Sequence, residues 1–399
     1  MLAGYRAAFR APGTVAFCAA SFVMRMPIAI YPIALVLIVS ARTGEYGFAG
    51  LLTGVYVAAN GVGNPVLARL VDRFGQSRTL VPASAVHVVA TVALAVLIEA
   101  GFPQWSFVGP TAVSGFSYLA VGSLVRARWS HVWGRRPELS TAYSLEATLD
   151  ELIFTTGPLV ATAIATTLDP VLPLLLGALL VSLGAVWLRG LHSTEPPVHD
   201  TSSARSGSAM RTRGMVLLVA GAVAMGMVFA SAEITIVAFC SQQGQRALSG
   251  AVLACLALGS ATAGFIYGAR ARIAPVPQRY RRQAMLLGGL PILLWLAPNV
   301  PALAACAFVM GLGVAPTLIT ATELVERTVD RLVLTEGLAW LVTGLNLGYG
   351  AGSAVVGQVA DTHGPRTGFL VAVAAGLLVA LSAALLHTRL TNPVATAAD

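Results

Sequence analysis

The sequence predicts an all-α membrane protein of 12 transmembrane helices, in two pseudo-symmetric six-helix bundles with both termini cytoplasmic. Three observations carry this expectation. First, 56% of the 399 residues are hydrophobic and only 11% are charged, a balance foreign to soluble domains. Second, apolar runs recur along the chain, most reaching the roughly 20 residues that cross a bilayer. They begin near Thr14, Glu45, Thr79, Pro103, Glu138, Asp169, Arg213, Ala247, Gln283, Pro301, Leu332 and Gly364. Third, the basic residues are sorted between alternate runs. All 25 are arginine. Arg42, Arg246 and Arg366 lie in the loops of one side and Arg25 lies inside the first run. The rest occupy the two ends and the loops after even-numbered runs. Positive residues accumulate on the cytoplasmic side, which places both ends inside.

Taken in order, residues 1–13 form a cytoplasmic N-terminal segment, in which Leu2, Tyr5 and Phe9 recur at helical spacing. That pattern reads as a short helix on the membrane surface. Residues 14–190 hold the first bundle. Pro27 and Pro32 in its first span and Pro158 in its fifth are expected to kink those helices, because proline removes a backbone donor. Residues 191–212 are a cytoplasmic linker, rich in Ser, Thr, Pro and Arg and too poor in apolar side chains to fold alone. Residues 213–389 hold the second bundle, whose ninth span is the shortest apolar run, between Arg282 and Pro298. Residues 390–399 are a cytoplasmic tail. The six-plus-six division points to an internal repeat. Val23-Met24-Arg25-Met26 is paralleled by Ala224-Met225-Gly226-Met227 at the start of the other half.

The net charge of +8 serves topology and contact with anionic lipid; no basic stripe with interleaved aromatics suggests nucleic acid. Cys18, Cys240, Cys255 and Cys306 have no paired spacing and read as packing residues, so neither disulfides nor a metal site is expected. The chain has no His-Glu-x-x-His, no Gly-x-Ser-x-Gly and no Gly-rich phosphate loop. Enzyme, cofactor and ATP-driven chemistry are therefore not expected. Lysine-free basic usage suggests a GC-rich bacterial genome, and with it a multi-pass protein of the bacterial inner membrane.

The loop after the second run reads Ala68-Arg69-Leu70-Val71-Asp72-Arg73-Phe74-Gly75-Gln76-Ser77-Arg78. A glycine here permits a tight turn between helices. An acid beside arginines at helix ends can form charge-assisted hydrogen bonds that break when two halves part. Together with the two bundles of six joined by a basic linker, this loop resembles the major facilitator superfamily over essentially the whole chain. Leu70, Asp72, Arg73, Gly75 and Arg78 match that family's loop signature, a cytoplasmic gate. Ala68 stands where the family has glycine, and Gln76 where it has a basic residue. In the fifth span Gly157-Pro158 is similar to part of the signature of the family's drug–proton antiporters, although Ala161 and Thr162 replace the paired glycines that follow there.

Charges within the runs bear most directly on mechanism. At the helical rise, Arg25 lies about 16 Å along the first span, and Asp150 and Glu151 about 18–20 Å along the fifth. An ionised side chain at such depth costs ~3 kcal/mol, so these groups must pair or line water. Glu146 and Asp150, four apart, share a helix face, while Glu151 points ~100° away. Arg25 is expected to pair with a fifth-span acid, Asp150 first, leaving Glu151 to take up and release a proton. The competing reading is a permanent structural ion pair. Glu233 in the seventh span reads equally as a cavity group or as a residue solvated near the outer surface. Glu323 and Glu326 beside Arg327 read as a solvated helix end, and His87 as a hydrogen-bonded packing residue.

The resemblance and these charges together imply a proton-coupled secondary transporter working by alternating access as a monomer. It would export small amphipathic compounds, its partners being a small-molecule substrate, protons and membrane lipid. The alternatives are a proton symporter importing a small polar or anionic metabolite, with Arg25 binding the anion, and a non-transporting sensor or scaffold on the same fold.

Overall fold

A computed structural model describes residues 9–134, 136, 138–197, 209–269, 274–329 and 334–391. The described residues are helical with short turns and contain no strand. The first span is two helices, α1 (Thr14–Arg25) and α2 (Pro27–Thr43), parted at Met26. Pro27 lacks the N–H that would continue the helix ladder, and the break falls immediately before it. The Tyr118 hydroxyl donates to the Met24 carbonyl at 3.2 Å beside this break. Pro32, and Pro158 in the fifth span, lie within helices that run on through them.

The second and third spans are α3 (Tyr46–Phe74) and α4 (Gln76–Glu99). The fourth is split into α5 (Val108–Ser117) and α6 (Val121–Trp133). Carbonyls left without partners at that split need donors in a membrane interior. Asn60 of α3 supplies them, its Nδ2 donating to the Gly115 and Tyr118 carbonyls at 3.1 and 2.8 Å. The fifth and sixth spans are α7 (Glu138–Thr167) and α8 (Leu172–Arg189).

The second half continues with α9 (Met215–Gln242) and α10 (Ser249–Ala269). The ninth span comprises α11 (Val276–Gly289) and the short α12 (Ile292–Leu296), and the tenth comprises α13 (Val300–Gly311) and α14 (Val314–Thr328). Two long helices, α15 (Leu334–His363) and α16 (Pro365–Thr391), close the chain. The ninth span starts at Val276 rather than near Gln283. Its first turns carry Arg279, Arg281 and Arg282, which hydropathy alone assigns to a loop. Among the described residues, nine helical segments are apolar and long enough to cross a membrane by composition alone. The fifth, ninth and eleventh spans fall outside that set. The fifth carries four acids and the ninth three arginines, while glycine dilutes the eleventh.

The chain divides into two compact units, residues 1–42 with 58–202 and residues 43–57 with 203–399. The first turns of α3 thus group with the second unit and its remainder with the first. In the first unit α1 packs on α8 and α6, α4 on α8 and α5, and α6 on α7. Phe17, Met24, Leu80, Trp129 and Leu188 are buried together in its core. In the second unit α9 packs on α15 and α16, α10 on α13, and α11 on α16 and α14. Large apolar side chains such as Val89, Phe265 and Leu377 remain exposed on these helices, the surface a lipid environment covers.

The start of the predicted linker is structured. His192–Thr194 form a turn docked on the first unit, with Thr194 buried. Residues 198–208 lie outside the described residues, as do Leu2, Tyr5 and the tail from 392. Phe9 packs edge-on against Trp129, ring centroids 6.0 Å apart, within the protein.

Candidate functional site

Three helices of the first unit bring the intramembrane charges together. Arg25 ends α1, where the break before Pro27 terminates the helix, and is 4% exposed. Glu146 and Asp150 present the same face of α7 to it, one turn apart. One guanidinium nitrogen, Nη2, pairs with Glu146 Oε2, and the other, Nη1, with Asp150 Oδ1 at 2.8 Å. Nη2 also donates to the Ser21 hydroxyl at 3.3 Å. Arg25 therefore bridges two acids rather than holding one. The two differ in setting: Glu146 is fully buried, whereas the Asp150 side chain is 34% exposed.

Each acid has a further partner from α6. The Trp129 indole donates to Glu146 Oε1 at 2.7 Å, and Arg126 Nη2 reaches Asp150 Oδ2 at 3.2 Å. Sequence reasoning missed both, because it placed Arg126 and Arg128 in a loop as topology anchors. Both lie within α6. Trp129 three residues after Arg126 is the signal that α6 continues there and turns these groups to one side.

Glu151 follows Asp150 on α7 and stands apart from this network. It is half-buried, and its carboxylate has no hydrogen-bond or ion-pair partner among the described residues. Nearby, Gly157 lets α7 approach α2 closely: a Cβ there would lie 2.6 Å from the Ala29 Cβ. Pro158 follows inside the unbroken helix. In the second unit, Glu233 of α9 is half-buried and accepts a 2.6 Å hydrogen bond from the Tyr349 hydroxyl of α15. It has no ion-pair partner among the described residues. Gly226, which parallels Arg25 in the repeat, packs directly against the α15 backbone, so this half places helix contact where the first places charge.

The loop signature lies at the α3–α4 junction. Gly75 has φ +87°, a conformation that admits glycine, and it turns the chain straight from α3 into α4. Asp72, Arg73 and Arg78 are exposed, and the Arg73 guanidinium sits 5.1 Å from the Phe74 ring centre. Gln76, which stands where the family has a basic residue, is buried. It donates to the Leu124 carbonyl at 3.0 Å and accepts from Arg128 Nε at 2.7 Å. Arg128 is itself fully buried and donates to the Leu188 and Leu191 carbonyls and the Thr194 hydroxyl. The basic group at this corner is thus supplied by α6.

Glu195 completes the corner, accepting hydrogen bonds from the Ser77 N–H, at 2.9 Å, and the Ser77 hydroxyl. Burial by itself raises this carboxyl, but the Ser77 bonds, the Arg128 charge and His192 together outweigh it and hold it below the usual glutamate value. A depressed folded value means that the contribution to stability is present above the unfolded value, ~4.3, and is lost as pH falls through the folded one. In thermal unfolding between neutral and acid pH, the wild type should lose more Tm than Glu195→Gln. Parallel curves would remove Glu195 from this role.

Two other charged clusters read as helix ties. Glu323 of α14 pairs with Arg279 at 2.7 Å and Arg327 at 3.0 Å, so it is a buttressed group rather than a merely solvated end. His87 is fully buried, with Nδ1 2.9 Å from the Ser114 carbonyl.

Comparison with known proteins follows the same lines. The sequence matches the family model described as Major Facilitator Superfamily over residues 15–290 and 278–398. No curated protein matches the chain. Among solved structures, a mutant of the nucleoside transporter NupG is similar over 94% of this chain and 99% of its own, with TM-score 0.71 and 12% identity. The human organic anion transporter MFSD10 (TETRAN) is similar over 94% of this chain and 100% of its own, with TM-score 0.64 and 15% identity. At such identities the likeness is one of fold. The family match spans nearly the whole sequence and agrees with the helical fold built above: the chain belongs to the major facilitator superfamily, a family of multi-pass membrane transporters of small molecules rather than enzymes.

Proposed function

We propose that the chain is a proton-coupled antiporter of the bacterial inner membrane that exports small amphipathic compounds by alternating access. The observation that carries this reading is Glu151, an acid within a span whose carboxylate lacks any partner among the described residues. Arg25 and Arg126 engage Glu146 and Asp150, but no cation among the described residues engages Glu151. An uncompensated charge at membrane depth costs ~3 kcal/mol, and either a proton or a cationic substrate relieves that cost. Two ligands that compete for one carboxylate in alternating states are thereby exchanged across the membrane. Gly157-Pro158 supports export by its likeness to the antiporter signature.

One observation favours import of an anion instead. Arg25 Nε is buried without a hydrogen-bond partner among the described residues, a donor available to a carboxylate or phosphate. Purified protein in proteoliposomes with a trapped pH dye separates the two. External amphipathic cations should make the lumen alkaline as substrate enters and protons leave. Acidification on adding organic anions would establish symport instead. Radiolabelled uptake of a compound with no proton movement would overturn proton coupling altogether.

A further inference from the structure

We propose that Asp361 forms a second gate latch, a copy of the α3–α4 loop device placed at the opposite end of α3. It holds the first turns of α3 against α15 until the outer side opens. "Outer" here follows the topology that the arginine distribution implies. The inference is independent of proton coupling.

The copy is visible in sequence once the helices are aligned. Asp72-Arg73-Phe74-Gly75 ends α3, and Asp361-Thr362-His363-Gly364 ends α15. In both, an aspartate in the last turn is followed three residues later by a left-handed glycine, φ +87° at Gly75 and +82° at Gly364. The next helix starts at once, α4 at Gln76 and α16 at Pro365, and an arginine follows, Arg78 or Arg366.

The structure shows what the aspartate of the second copy does. The first backbone N–H groups of a helix have no partner within it and carry partial positive charge. The Asp361 carboxylate accepts from two of them, the N–H of Tyr46 at 2.8 Å and that of Gly47. A side chain at the end of one long helix thus caps the start of another, 314 or 315 residues away in sequence. These contacts lie wholly within the second unit.

Packing provides an independent reason to regard this contact as specific. A Cβ on Gly50 would overlap the Ser353 carbonyl oxygen, and one on Gly54 would lie 2.5 Å from the Gly350 carbonyl oxygen. On α15, Gly357 abuts the Tyr46 carbonyl in the same way. Successive turns of α3 therefore meet α15 backbone to backbone, an interface of small residues that can close and part as a surface. Asp361 is exposed, so water can replace its two bonds when the helices separate. A capping carboxylate in water is strong enough to bias closure and weak enough to release.

The test uses the full chain with its four native cysteines replaced by alanine and needs no substrate. Ser353→Cys, buried against Gly50, reports opening through its reaction with a membrane-impermeant maleimide. Adding Asp361→Ala should raise the labelling rate roughly fivefold to tenfold, the scale of losing a helix cap. Asp361→Asn, which keeps one acceptor oxygen, should raise it less. Spin labels on the exposed positions Glu45→Cys and Thr362→Cys should give one short distance in the parent and added longer distances with Asp361→Ala. If the alanine variant does not fold, the asparagine variant and the parent's distance still decide. Equal labelling rates with unchanged distance distributions would overturn the latch, as would a long distance in the parent alone.

Discussion

Replacing Arg25 with methionine should destabilise the protein by about 3–5 kcal/mol, the cost of leaving one member of a buried ion pair uncompensated. Glu146 sets this magnitude. It is fully buried and, among the described residues, would keep only the Trp129 indole and the weak Cys18 thiol as donors. Asp150 contributes less, because it is partly exposed and retains Arg126. The double variant Arg25→Met/Glu146→Gln removes the orphaned charge and should recover most of the loss, since a neutral pair of similar volume is tolerated where half a salt bridge is not. Thermal unfolding of the four combinations in one detergent forms a double-mutant cycle. Additive losses would show that Arg25 and Glu146 do not act as a pair. The pair fixes α1 against α7 whether or not it also takes part in transport, so stability and flux must be measured separately.

The parts of this network that sequence reveals follow from helical geometry. Depth along a span depends only on rise per residue, and the shared face of Glu146 and Asp150 only on their spacing. Those rules bring both acids to the height of Arg25. They do not show which acid is buried, since that depends on α6, which runs past the end of its apolar run. Arg126 and Arg128 are charged and lie beyond an apolar run, so hydropathy ends the span before them. The helix continues to Trp133 because Arg126 meets an acid and Arg128 meets four acceptors on neighbouring segments. The early start of the ninth span has the same cause, with Arg279 paired to Glu323. Where charges are compensated by tertiary partners, a helix outruns its hydropathy. The Asp361 device is hidden in the sequence for another reason. Its glycine spacing is present in sequence, but nothing local says that its aspartate caps a helix 314 or 315 residues distant.

Glu151→Gln should abolish pH-driven transport while leaving folding and surface expression intact. The substitution keeps volume and removes only the capacity to gain and lose a proton. Because the Glu151 carboxylate has no partner among the described residues, no ion pair is broken and Tm should stay close to the parent value. Substrate-for-substrate exchange, which requires no net proton movement, should persist in proteoliposomes that no longer respond to a pH gradient. That split between exchange and coupled flux is the signature of a coupling group, and a merely structural residue would not produce it. Asp150→Asn makes the contrast. It releases Arg126 and one arm of Arg25, and so should lower Tm as well as pH-driven transport. Should Glu151→Gln retain full pH-driven flux while Asp150→Asn loses it at parental Tm, the proton would belong to Asp150, and Glu151 would be a bystander on the same helix.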